Sequence, residues 1–429
     1  MDILNRKEIA PGIFLSRVTD PRFKQNRISV SFMTQLSQDN ASLNAVIPKI
    51  LTNSCRLYPD LRSLNAKLSA LYAARLSGST GSIGDTQEIG ISIKTIDSRY
   101  ALENEDVAGE AVKILTDCIF EPLTENGAFK ASVTETEKQA CIDQIEAELN
   151  DKRVYAVRRA SELLFKGEPA AVQSQGTIEG VKAVTPESAY QAYQSLLKTA
   201  RIEIICAGCN DFSTVTDALT NSFGKIERGQ MEDCHSNPAP IKPQMLTHSE
   251  EMDVNQSKMV LGFKSTSEDM DALVVMAKIY GGSATSKLFE NVREKMSLCY
   301  YCWAKFYQDK RVIVSECGVE KDNIEKAKTE IIAQLNLMKE SDFTDEDINH
   351  ALLSLQNDLK LVNDSLRGIK SWYLSHIYRC DIIMPEQAIK RYESVTRERI
   401  VNAAKSLTLD TVYILTENFD ENGGAEING

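Results

Sequence analysis

The stretch GGSATSKLFENVREKMSLCYYCW, residues 281–303, changes its period halfway along, and that change decides how the rest of the chain is read. Its first part places Leu288, Val292 and Met296 four apart, with Phe289 widening the apolar stripe, which is the spacing of an amphipathic helix. Its second part runs on as LCYYCWAKF, rich in aromatic residues, and reads as a strand. The lead-in YGGSATS supplies the Gly and Ser that a tight reversal needs. A helix feeding a strand recurs in the first half, at PDLRSLNAKLSALYAARLSGST, residues 59–80, with Tyr72 at the point corresponding to Tyr300.

Working outward, the two halves run in the same order. The first reads NRISVSF, NASLNAVIPKILTNSC, the helix-into-strand segment, EIGISIKTI, then the helices EDVAGEAVKILTDCIF and EKQACIDQIEAELNDKRVYAVRRASELLF. The second reads SKMVLGF, DMDALVVMAKIYGG, the opening stretch, RVIVSECGV, then NIEKAKTEIIAQLNLM and TDEDINHALLSLQNDLKLV. Alternation supports the strands: Ile89, Ile91 and Ile93 share one side, Gly90, Ser92 and Lys94 the other. SGSTGSIGD, residues 77–85, reads as a turn. This order predicts an α+β chain of two homologous halves, each an antiparallel sheet with helices packed on one face, forming a clamshell. The expected division is a first domain at 1–225, an extended linker at 226–253 with three prolines, and a second domain at 254–429. The final ENFDENGGAEING has no apolar period and reads as a frayed acidic tail.

Composition excludes several function classes. With 429 residues the chain is long enough for more than one core, and 42% hydrophobic with 26% charged residues is globular. A net charge of -12 without a Lys/Arg block argues against nucleic acid and against an anionic membrane as partner. The opening MDILNRKEIAPGIFL lacks an apolar h-region and no later run approaches a membrane span, so a cytoplasmic location is expected. In that reducing compartment the ten cysteines read as thiols, not as a disulfide framework. Cys206 with Cys209 and Cys299 with Cys302 have C-x-x-C spacing, but residues three apart on a strand face opposite sides, so buried unpaired thiols are expected and a four-thiolate zinc site is the weaker reading. The adjacent Cys234 and His235 of the linker have no further ligand nearby in sequence and read as incidental.

Arg293 and Tyr300 are seven apart and would lie on nearly one side of a persisting helix. A guanidinium and a phenol aimed at one carbonyl oxygen are donors for the oxyanion that forms when water attacks a peptide bond. The ordinary alternative is a surface pair of Arg293 with Glu290 and a half-buried strand tyrosine. The surrounding GGSATSKLFENVREK followed by LCYY resembles the second-half signature of insulinase-type (pitrilysin-like) zinc peptidases, in which an Arg and a Tyr bind the peptide being cut. The resemblance covers nearly the whole chain and implies that Arg293 and Tyr300 are substrate-binding, with Tyr301 next if the register shifts by one.

In active members of that family the first long helix carries H-x-x-E-H, two His on Zn²⁺ and a Glu that deprotonates water, with another Glu downstream. Here the histidines are His235, His248, His350 and His376, none in the first half. The helix reads AVIPKIL, with Val46 and Ile50 at the histidine positions and Lys49 at that of the base; the downstream ligand falls near Asp143 and Gln144, beside Glu146 and Glu148. The resemblance therefore implies a chain without metal of its own: a catalytically incomplete subunit that binds peptide and supplies Arg293 and Tyr300 to a zinc-bearing partner, or a homodimer when isolated. Within the family it is most similar to a zinc-less bacterial branch linked by name to aminopentanol modification of elongation factor P. The alternatives are a non-catalytic scaffold or peptide-binding protein and, least favoured, an enzyme with a different metal or nucleophile.

Overall fold

The computed structural model describes residues 4–417 apart from 104 and 210; of the expected acidic tail, Glu417 ends a strand and the remainder lies outside the described residues. The chain divides into two compact units. The first comprises Met1–Ala147, Glu168–Asn237 and Leu361–Met384, the second Glu148–Gly167, Pro238–Lys360 and Pro385–Gly429. Each unit thus takes one helical segment from the opposite half of the sequence.

The first unit is built on six strands, β1 (Asn5–Ala10), β2 (Ile13–Thr19), β3 (Gln25–Gln35), β4 (Arg75–Ile83), β5 (Thr86–Ile96) and β6 (Arg201–Gly208), in the order β1-β2-β6-β3-β5-β4. The second has five, β7 (Leu246–Met252), β8 (Ser257–Ser265), β9 (Cys299–Tyr307), β10 (Val312–Val319) and β11 (Leu407–Glu417), in the order β9-β10-β8-β11-β7. Matching β4, β5, β3, β6 and β2 to β9, β10, β8, β11 and β7 superimposes the two orders, so the repeated element order is a repeated topology. One pairing in each sheet is parallel, β2 with β6 and β7 with β11; all others are antiparallel.

Each sheet buries its two faces in different ways. In the first, Ile89, Ile91 and Ile93 are buried on the side of the Gln38–Asn53 and Val107–Phe120 helices, as their alternation predicts. On the other side Met33, Ile205 and Ala207 pack with Leu366, Ile369 and Tyr373 of the Leu366–Tyr378 helix. In the second, Met259, Leu261 and Phe263 of β8 face the main core, while Gly262 on the reverse faces Leu164 of the Lys152–Leu164 helix. That helix is fastened through Glu250 of β7. Tyr155 and Tyr413 hydroxyls donate to its carboxylate at 2.8 and 3.0 Å, and Arg159 donates through Nε and Nη2 at 3.0 and 2.7 Å. Helices on both faces thus add to the expected layer.

Four local readings change. SGSTGSI belongs to β4, paired with β5 throughout, and only Gly84 and Asp85 turn the hairpin, Gly84 at a positive φ of 56°. A Gly/Ser-rich sequence suits this edge strand because it must pass close to a helix: a Cβ on Gly78 would lie 2.3 Å from the Pro48 carbonyl oxygen. Gly78→Val is therefore expected to destabilise the first unit by about 1–3 kcal/mol, read as a lower denaturant midpoint, since backbone cannot yield as a side chain can. The stripe of Leu288 and Val292 is buried, but Met296 is 49% exposed: residues Leu288–Lys295 form a π-helix, whose wider turn carries Met296 off the stripe. Tyr72 sits in a left-handed turn (φ 53°) before β4, whereas Tyr300 lies within β9, so the two tyrosines are not equivalent. Residues 227–245 have no regular structure, and residues 246–252 of the expected linker are strand β7.

Candidate functional site

The Gln38–Asn53 helix starts on a capping box in which Ser37 accepts from the Asn40 amide and the Asn40 side chain from the Ser37 amide. Its apolar face fixes its rotation. Val46 and Ile50 are 0% and 3% exposed and belong to the core, so neither reaches solvent. The residues of this helix that line a cavity are Ala45, Pro48 and Lys49, at the spacing i, i+3 and i+4. The positions able to present H-x-x-E-H chemistry thus lie one residue before the register Val46, Lys49 and Ile50.

This cavity, about 160 Å³, is completed by Gly78, Ser79 and Thr80 of β4, Cys141 and Gln144 of the Ala131–Asn150 helix, and Gln175. Lys49 Nζ donates to the Ala140 carbonyl at 3.3 Å and to Gln144 Oε1 at 3.1 Å. Asp143 is outside the lining and accepts from Gln139 at 2.7 Å; Glu146 is exposed and Glu148 is not among the lining residues. Cys141 is held in its thiol form, its pKa pushed up to about 11 by burial.

These side chains do not fit zinc. Alanine and proline offer no ligand, an ammonium repels the ion, an amide is a poor donor, and a thiol whose pKa is raised resists becoming thiolate. Among the described residues no group of three or more His, Cys, Asp or Glu could hold a metal ion.

Arg293 and Tyr300 do not share a helix. Arg293 lies in the last turn of the π-helix, Ser297 reverses the chain at a positive φ of 51°, and Tyr300 is the second residue of β9. They meet nonetheless: Arg293 Nε donates to the Tyr300 main-chain carbonyl at 2.9 Å. The guanidinium lies 4.6 Å over the Phe289 ring and pairs with Glu294 at 2.8 Å, not with Glu290. The Tyr300 side chain is 62% exposed and its hydroxyl donates to Glu320 at 2.7 Å, a bond to a carboxylate that raises its pKa. Tyr301 turns the other way. Its ring lies under Arg153 at 4.5 Å and against Gly318, and burial raises its pKa. Of the two tyrosines, Tyr300 is the one presented to solvent.

The same turn corrects the reading of the cysteines. A β-bulge between Cys299 and Tyr301 resets the alternation, so Cys299 and Cys302 both face the core, 8% and 2% exposed. Cys206 is fully buried on β6, and Cys209 lies beyond the strand end beside Asn26. Cys234 is buried and donates to the Met33 carbonyl at 3.3 Å, while His235 is exposed and contacts Asp233 at 3.1 Å.

Residues 183–355 match the family described as "Peptidase M16 inactive domain". The chain is 27% identical over 410 residues to "Probable inactive metalloprotease YmfF" of Bacillus subtilis (strain 168), covering 94% of this chain and 96% of that protein. In fold it is similar to a conserved protein from Enterococcus faecalis V583, with TM-score 0.88 and 23% identity over 98% of this chain and 100% of the other. It is also similar to the crystal structure titled as a peptidase M16 inactive domain from Pseudomonas fluorescens, with TM-score 0.78 and 14% identity over 97% and 98% of the two chains.

Proposed function

We propose that this chain, an inactive-type protein of the insulinase-like (M16) peptidase family, is the non-catalytic subunit of a heterodimeric zinc peptidase, binding peptide and presenting Arg293 and Tyr300 to a zinc-bearing partner. The observation that carries this reading is the contrast between its two halves. Where the family places its metal the chain has alanine, proline and lysine, while the Arg293 and Tyr300 corner stands at the solvent with the guanidinium Nη2 uncommitted among the described residues. The strand beside the Lys49 cavity also suits a peptide. β4 is an outermost strand of its sheet, so among the described residues its outer main-chain groups have no strand partner, and an extended chain can add there.

The cofactor of such an enzyme, zinc, belongs to the partner subunit in this reading, and no nucleic acid or membrane enters it. Among the described residues no helix is long and apolar enough to cross a membrane.

The test is reconstitution. The purified chain should cleave no peptide and hold no stoichiometric zinc by elemental analysis, and an M16 protein with an intact H-x-x-E-H motif from the same cell should gain peptidase activity when it is added. One zinc per chain on the Gln38–Asn53 helix, or cleavage by the chain alone, overturns the reading. The Tyr300 bond to Glu320 favours a second account, a peptide-binding scaffold, because a committed hydroxyl is not waiting for an oxyanion. A complex that forms but gains no activity from this chain would select it.

A further inference from the structure

We infer that the Lys49 cavity recognises the free carboxylate at the C-terminal end of an extended peptide laid along the open edge of β4. The inference rests on the peptide-binding part of the reading above and is independent of Arg293 and Tyr300. Its starting point is an unbalanced charge. An ammonium has three N–H donors, and those of Lys49 meet two neutral acceptors, the Ala140 carbonyl and the Gln144 amide oxygen. Lys49 makes no ion pair among the described residues, and no Asp, Glu or His lines the cavity around it.

The lining otherwise suits an anion. Thr80, Gln144 and Gln175 line the cavity without adding negative charge, the Ser79 hydroxyl lying on the reverse face beside Gly90, and Cys141 stays a neutral thiol. A half-buried cation with a vacant donor binds a carboxylate through a charge-assisted hydrogen bond, stronger than a neutral one. The position of the cavity selects among carboxylates. Gly78, Ser79 and Thr80 belong both to its wall and to the edge strand, so a peptide paired with β4 and ending there delivers its terminal carboxylate to Lys49. An amidated or continuing chain offers only a neutral carbonyl.

The probe is a degenerate pool of fluorescein-labelled peptides about ten residues long, long enough to span a strand of the usual length, made once with a free C-terminal carboxylate and once with a carboxamide. Equilibrium dialysis against the full chain should retain the carboxylate pool roughly tenfold more strongly, the lower end of what a hydrogen bond between charged groups contributes. Lys49→Met should abolish the preference, and Lys49→Arg should keep it. Gln144→Glu, on an exposed residue whose Oε1 already touches Nζ, should abolish it by giving Lys49 an internal counter-ion without disturbing the core. N-acetylated single amino acids should not displace the pool. Full displacement by them marks a small-carboxylate site and overturns the assignment to peptide ends. Equal retention of the two pools, retention of neither, or a preference that survives both Lys49→Met and Gln144→Glu overturns it as well. Failure of the reconstituted peptidase leaves this preference standing, and loss of the preference leaves reconstitution standing, so the two readings fail separately.

Discussion

Arg293→Ala in the reconstituted peptidase is expected to lower turnover on the order of 10²-fold or more while the two subunits still assemble, and Tyr300→Phe to do the same. Both side chains would act on charge that develops only as water attacks, so turnover should fall further than KM rises. The Tyr300 hydroxyl must exchange Glu320 for the oxyanion, which yields a separate signature. Glu320→Gln replaces a carboxylate acceptor by a neutral amide, weakens the hold on the hydroxyl at 2.7 Å, and should leave turnover equal or higher. Steady-state kinetics of the three variants, with assembly followed by size-exclusion chromatography, separate the outcomes. If Arg293→Ala and Tyr300→Phe leave cleavage unchanged in an intact complex, the two residues are ordinary surface groups and the scaffold account holds.

The repeated fold was legible because it is written in periodicity. A change from helix to strand spacing at residues 281–303, repeated at residues 59–80, orders the strands of two sheets with one topology. The helical segment that each unit takes from the other half of the sequence was not legible. Nothing local in Lys152–Leu164 distinguishes it from its neighbours; what assigns it to the second unit is Glu250, 91 residues from Arg159. The turn at residues 296–298 was hidden for another reason. A π-helix and a bulge each insert a residue, which shifts every side chain beyond them without changing composition. That is why Met296 surfaces, why Cys299 and Cys302 share a face, and why Arg293 finds the carbonyl of Tyr300 and not its ring.

On the Gln38–Asn53 helix the side chains that face the cavity lie one residue before the expected register of Val46, Lys49 and Ile50. In AVIPKIL the only polar residue is Lys49, and a helix packed on its sheet turns that residue outward and its i−3 and i+1 neighbours, Val46 and Ile50, inward. The side chains of this helix that face the cavity are Ala45, Pro48 and Lys49, and of these Lys49 alone carries a polar group. No local pattern could show that Gln144, 95 residues away, would touch the ammonium, nor that Gly78 would let β4 close over Pro48.

The second large effect concerns stability in acid. Burial alone would raise the Glu250 pKa, but hydrogen bonds from Arg159, Tyr155 and Tyr413 and the Arg159 charge outweigh it and hold the carboxyl at about 2, against 4.5 for a free glutamate. A depressed folded-state pKa contributes stability that is fully present above 4.5 and is lost as pH falls from there towards 2. The shift corresponds to about 3 kcal/mol at neutral pH, and the carboxylate, 19% exposed, is shielded enough to retain most of it. Glu250→Ala should therefore destabilise the second unit by about 3 kcal/mol at pH 7, because it removes two hydrogen bonds from Arg159, which keeps Glu162, and leaves two tyrosine hydroxyls without their acceptor. Denaturant unfolding at a series of pH values reads the sign directly. The gap between the two proteins should be constant above pH 5, about half as large near pH 3, and closed near pH 2. A gap that does not narrow in acid would mean that packing of the Lys152–Leu164 helix, not the Glu250 charge, fastens it to the sheet.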